Sequence, residues 1–266
     1  MATTYSLLFI LFCHFLFTSH AYWPPIPPGL PELQCETYDE KDHICTAPTT
    51  IHSGFYWNTT DTIVKFSTYG DIRDGTYCQI FIAAKTVVFK YSNIMSCDIY
   101  INATNLLIDH SSLSTTGSTL YGKGWTNSTD FGNSYAAFGG FCSNSQVLDF
   151  TYGNYDTPYT AEAETYGSGG LNSRGYFYDF FGTSLTVFFI GGGKIVIIAE
   201  SFSLTESTIS SNGYPEAIAD CLTTQENGGT GGYIYIQSDY IYPPKDSSSF
   251  EAKGGISCSK DSKFFL

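Results

Sequence analysis

The sequence predicts an all-β protein, a short parallel β-helix (solenoid) of about four to five coils with a long Gly/aromatic-rich insertion. Three observations predict it. An apolar template recurs column by column in separate parts of the chain. Two cysteines hold the same template position in consecutive copies. The composition, with 21 Tyr, 21 Phe and 26 Gly in 266 residues, suits strands and tight turns better than helices.

The template is clearest in GKIVIIAESFSLTESTISSNG, Gly193 to Gly213, and CDIYINATNLLIDHSSLSTTG, Cys97 to Gly117, which align without a gap. With the first residue of each as position 1, positions 3, 5, 10, 12 and 17 hold Ile195, Ile197, Phe202, Leu204 and Ile209 in one and Ile99, Ile101, Leu106, Ile108 and Leu113 in the other. A copy from Cys78 supplies Ile80, Ile82, Val87, Phe89 and Ile94. A copy from Gly232 supplies Ile234, Ile236, Ile241, Pro243 and, after a two-residue insertion, Phe250. Position 7 is small throughout (Ala84, Ala103, Ala199, Ser238), as a corner between strands requires. A sandwich explains alternation within strands; only stacked repeats explain equivalence between columns.

In chain order, residues 1–21 read as a secretory signal peptide: an apolar run from Leu7 to Phe17 precedes the small-x-small pattern Ser19, His20, Ala21. Residues 22–61 form a Pro-rich, Cys-containing N-terminal cap region, with a degenerate first coil expected around Val64 and Phe66. Residues 62–255 are the β-helix domain, with insertions at 118–192 and 214–231, and 256–266 are a C-terminal tail. No segment after the leader has the roughly 20 apolar residues of a membrane span. The formal charge of −13 argues against nucleic acid or an anionic membrane surface as partner.

Removal of the leader leaves seven cysteines, and no metal-type spacing links them. Cys78 and Cys97 stand at position 1 of consecutive coils, where stacking brings Cα atoms within disulfide range, so this bridge is expected first. Cys35 with Cys45 is next, Cys142 with Cys221 is a further candidate pair, and with seven cysteines one thiol is left free or pairs between chains. Asn58, Asn102 and Asn127 begin glycosylation sequons. The outward positions of the first strand carry an apolar face, Phe81, Tyr100, Val196, Ile198 and Tyr235. Such a face needs a cover or a partner; packing beneath the 118–192 insertion is one answer, and a platform for sugar rings or another protomer is the other.

Three stretches, SYAAFGGFCSNSQ at 134–146, YGNYDTPYTAEAETYGSGG at 152–170 and GGGKIVIIAESFSLTESTISSNG at 191–213, resemble the secreted, glycine-rich, pectin-lyase-like β-helix proteins of plants and protists. The resemblance spans residues 78–255 and implies a right-handed solenoid and a secreted location, with no established activity. This chain departs from the group in having fewer glycines and fewer coils.

Pectin-degrading enzymes use that architecture, but the motifs Asn-Thr-Asp, Gly-His-Gly and Arg-Ile-Lys are missing. Glu200 and Asp239, both at position 8, are the best carboxylate pair for general acid and base or cation chemistry; two solvated turn residues look the same. Asp39, Glu40, Asp42 and His43 could ligate a metal, but read more simply as a charged loop. His110 has Glu206 as its counterpart, which reads as a variable exposed corner. No catalytic residue, metal or cofactor is therefore expected. The sequence leans toward a non-enzymatic extracellular structural or adhesive glycoprotein, self-assembling at the cell surface or into filaments. The alternative is a carbohydrate-binding or polysaccharide-active solenoid, so the partners considered are further copies of the chain or extracellular glycans.

Overall fold

The computed structural model describes residues 24–73, 77–118, 175–178, 184–187, 191–213, 231–242 and 247–254. All regular elements among them are strands. Four long strands of twelve residues, β3 (Phe55–Phe66), β5 (Gln79–Lys90), β7 (Asp98–Asp109) and β11 (Lys194–Thr205), are followed by the nine-residue β13 (Tyr233–Ile241). After each comes a three-residue strand: β4 (Tyr69–Asp71), β6 (Asn93–Met95), β8 (Ser112–Ser114), β12 (Thr208–Ser210) and β14 (Ser249–Glu251). The long strands pair in parallel in the order β3-β5-β7-β11-β13, and the short ones pair in the same order in a second parallel sheet. Each long strand with its short partner thus forms one rung of a solenoid-like stack.

The registers match the template column by column. Ile80, Ile99, Ile195 and Ile234 are aligned neighbours, as are Ile82, Ile101, Ile197 and Ile236. Their side chains enter one core together with Val87, Leu106, Phe202, Phe89, Ile108, Leu204, Ile94, Leu113 and Ile209. Ile82, Ile101, Ile195, Ile197 and Ile209 are fully buried. The long strands are continuous, but the pairing skips Lys85, Thr104, Glu200 and Asp239, each next to a small residue at position 7. That skip marks the corner, where Ala84, Ala103 and Ala199 are buried in the core.

The rung built on β3 extends the ladder ahead of residue 62. Phe55 and Trp57 align with Ile80 and Ile82, and Val64 and Phe66 align with Val87 and Phe89. Between them the register shifts at Thr59 to Ile63. The buried Thr62 hydroxyl accepts a hydrogen bond from Trp57 Nε1 at 2.9 Å and donates to the Thr59 carbonyl at 2.7 Å, which pins the bulge. Phe66 stacks on Phe55 and Phe89 with centroids 6.0 and 4.7 Å away.

Two short strands finish the N-terminal end. β2 (Ile44–Thr46) lies parallel to β3, and β1 (Thr37–Asp39) returns antiparallel on β2. Cys35 and Cys45 are bonded across this hairpin. Cys78 and Cys97 are bonded across neighbouring rungs, with Cα atoms 5.2 Å apart. Within the 118–192 stretch, β9 (Gly175–Tyr178) and β10 (Ser184–Val187) pair antiparallel. The leader, Cys142, Cys221, Cys258, Asn127, Pro243 and the 256–266 tail lie outside the described residues.

Candidate functional site

Three surfaces of the stack carry more than packing. On the outer side of the first sheet wall, Phe81, Tyr100 and Val196 are buried in a second apolar cluster with Leu30. Ile26, Tyr56, Tyr77, Ile198, Tyr233 and Tyr235 pack around them. Leu30 comes from the Pro-rich segment, held by Leu33 N–H donating to the Tyr56 carbonyl and Tyr56 N–H to the Pro31 carbonyl. Part of the cover therefore comes from residues 24–34, which the sequence assigned to the Pro-rich N-terminal cap region. Phe81 stacks on Tyr100 at 4.6 Å, and Lys194 Nζ sits 5.9 Å from the Tyr100 centroid and 5.7 Å from that of Tyr233.

The second surface is the corner leading into the short strands. Tyr91, His110 and Glu206 occupy the same position in successive rungs, and each is left-handed, with φ of 53°, 46° and 44°. An L residue other than glycine, asparagine or aspartate adopts this region at a cost, so the corner is held by its surroundings. A serine column follows it and does the holding. The Thr68 amide donates to Ser92 Oγ at 3.2 Å, Ser92 to Ser111 Oγ at 3.0 Å, Ser111 to Ser207 Oγ at 2.9 Å and Ser207 to Ser248 Oγ at 3.3 Å. The Ser111 and Ser207 hydroxyls in turn donate to the carbonyls of Asp109 and Thr205 at 2.7 and 2.6 Å.

Outside this corner, charge collects around His110. Its Nδ1 lies 2.7 Å from Asp109 Oδ1 and its Nε2 lies 2.9 Å from Glu206 Oε2. Lys90 Nζ is 3.8 Å from Asp109, and the Tyr91 ring is 5.1 Å from that of His110. The hydrogen bond to Asp109 and the field of Glu206 raise the His110 pKa above its ordinary value, against desolvation and Lys90. The sequence made Glu206 the counterpart of His110 and took the position for a variable exposed corner; both are exposed, but they are bonded to one another. Stacking made them neighbours, and the serine recurring one residue later in three copies was the available signal.

The third surface is the C-terminal end. Among the described residues β13 and β14 are the edge strands of their sheets. Their rung shows the core's own column residues to solvent: Ile241 is 56% exposed and Phe250 44%, with Tyr240 and Tyr242 beside them at 70% and 58%. The opposite end differs in kind. There β1 is three residues long, antiparallel and followed by a turn in which Asp39 Oδ1 accepts hydrogen bonds from the Lys41 and Asp42 amides at 2.9 and 3.2 Å.

The remaining sequence candidates fall as follows. Glu200 and Asp239 are exposed on adjacent corners, and the Ser238 hydroxyl donates to the Glu200 carbonyl at 3.2 Å. His43 Nδ1 is 3.5 Å from Asp61. Among the described residues no group of three or more His, Cys, Asp or Glu is placed to hold a metal ion. None of the helix type long and apolar enough to cross a membrane occurs among them. Asn58 and Asn102 are both exposed and stand in one column, on either side of the buried Ala83. Comparison with protein-family models, curated proteins and solved structures finds no match.

Proposed function

We propose that this chain is a secreted, non-enzymatic structural glycoprotein, a right-handed parallel β-helix of about four to five coils that works at the cell surface or in an extracellular assembly by self-association. The observation that carries the reading is the inequality of the two ends of the stack. One is finished by a disulfide-bonded antiparallel hairpin; the other, among the described residues, ends on a long edge strand with exposed core residues. Natural edges are normally shortened, charged or covered. The likeness to the glycine-rich β-helix proteins belongs to the same proposal. Two disulfides suit an oxidising compartment. The exposed Asn58 and Asn102, two strand spacings or roughly 10 Å apart on the outer wall, support glycan attachment there.

Secretory expression followed by native mass measurement, with and without reductant and with and without glycosidase, tests this reading. A self-associated, glycosidase-sensitive species is the expected result. A chain that stays monomeric under all conditions refutes the assembly part, and one with no glycan refutes the glycoprotein part.

A carbohydrate-binding role is the second reading, favoured by the exposed Tyr91 ring beside Lys90, Asp109, His110 and Glu206, since sugars bind through an aromatic face flanked by hydrogen-bonding groups. Binding on a glycan array that Tyr91→Ala abolishes would support it. A blank array would remove it.

A further inference from the structure

We infer that the C-terminal end is a two-fold interface on which a second copy of this chain docks, β13 pairing antiparallel with β13. This rests on the self-association reading and names its site and symmetry. The edge strand is nine residues long and carries no lysine or proline, only Asp239 as a charge, so among the described residues the usual devices that keep edges apart are absent from it. Among the described residues of the last rung, Lys253 partly offsets Asp239 and Glu251. Between Cys35 and Cys45, by contrast, Lys41 stands alone against Glu36, Asp39, Glu40 and Asp42. In a chain of charge −13, the C-terminal end is where two copies meet with least repulsion, and the acidic hairpin makes head-to-tail stacking unfavourable.

The register follows from the strand itself. The Tyr233 amide donates inward to the Gly193 carbonyl at 2.9 Å. Backbone polarity alternates along a strand, so the amides and carbonyls of Ile234 and Ile236 point to the free edge. A two-fold axis normal to the sheet keeps core side facing core side only when it passes through a residue rather than between two. Centred on Tyr235, it places Ile234 opposite Ile236 of the second copy and the reverse. Both pairs then exchange backbone hydrogen bonds, and the isoleucine columns run on through the junction. Tyr235 faces its own mate on the outer wall. Because one end of each chain is closed, the assembly stops at two.

Analytical ultracentrifugation in reducing buffer, which removes any dimer held by a cysteine, reads the outcome. The native chain is expected at twice its monomer mass. Tyr235→Lys and Tyr235→Glu are each expected as monomers, because like charges meet across the axis, while an equimolar mixture of the two returns to the dimer. Ile236→Pro, which removes an amide facing the free edge together with a side chain partly packed on the core, is a second variant expected to be monomeric, with circular dichroism checking that the fold survives. A native monomer overturns both this inference and the self-association reading. A native dimer that all variants retain, or a native polymer, overturns the two-fold edge while leaving self-association standing.

Discussion

Replacing Ser111 with alanine tests whether the serine column, rather than the apolar core alone, fixes the corners. Ser111 is buried, and so is Ser92 beside it. The substitution deletes the bond from Ser111 Oγ to the Asp109 carbonyl and takes away the acceptor of the Ser92 amide. The first loss is worth about 1 kcal/mol net, and a buried orphaned amide costs ~1–3 kcal/mol, so destabilisation of roughly 2–4 kcal/mol is expected. Ser207→Ala orphans the Ser111 amide in the same way and should match it. Ser248→Ala is the comparison: it takes the acceptor from the Ser207 amide, but across a longer 3.3 Å bond and half-buried on the last rung, where water can replace the hydroxyl, so it should cost clearly less than Ser111→Ala. Urea unfolding followed by the fluorescence of the chain's tryptophans, among them the buried Trp57, gives the three values. If Ser111→Ala costs no more than Ser248→Ala, the column is incidental and the left-handed corners are held by something else.

Other expectations follow from the same stack. Changing both Cys78 and Cys97 to alanine opens a loop spanning 19 positions and should lower unfolding stability by about 3 kcal/mol on the chain-entropy account; no change in the urea midpoint would contradict it. Gly193→Ala places a Cβ against the Cys97 carbonyl oxygen and the Ser118 hydroxyl, and a loss above about 3 kcal/mol or failure to fold is expected; a native-like midpoint would show that the rungs can spread. His110 should titrate above the ordinary histidine value near 6.5 in an NMR pH series, and Asp109→Asn or Glu206→Gln should bring it down. Because the folded pKa is the raised one, the stabilisation is fully present below the unfolded pKa and is lost as pH rises through the folded value. A His110 titration unmoved by either variant would exclude these carboxylates as its cause.

The rungs of β5, β7 and β11 were legible because their inward residues repeat without insertion, so equal spacing in sequence becomes equal position in space; the last rung needed a two-residue insertion before Phe250. The Cys78 and Cys97 spacing is readable for the same reason. The β3 rung was only half legible: Val64 and Phe66 fit, but the extra residues near Thr62 displaced Phe55 and Trp57 from the template. The cover over Phe81 was not legible, because Leu30 and Ile26 lie in a proline-rich segment with no strand periodicity and reach that face only through tertiary packing. The bond between His110 and Glu206 was hidden differently. The template made the two counterparts, but each is an ordinary polar corner in sequence, and only the 96-residue return of the chain beside itself brings their side chains into contact.

That return also sets an order of assembly. The partners Ser92 and Ser111 are 19 residues apart, whereas Ser111 and Ser207 are separated by 96. Closing the longer loop costs about 1.4 kcal/mol more in chain entropy, before any insertion has to be accommodated. The rungs of β3, β5 and β7 are therefore the unit that can form from local contacts, and β11 must find a template already in place. The first half of the protein is the mould on which the second half is cast.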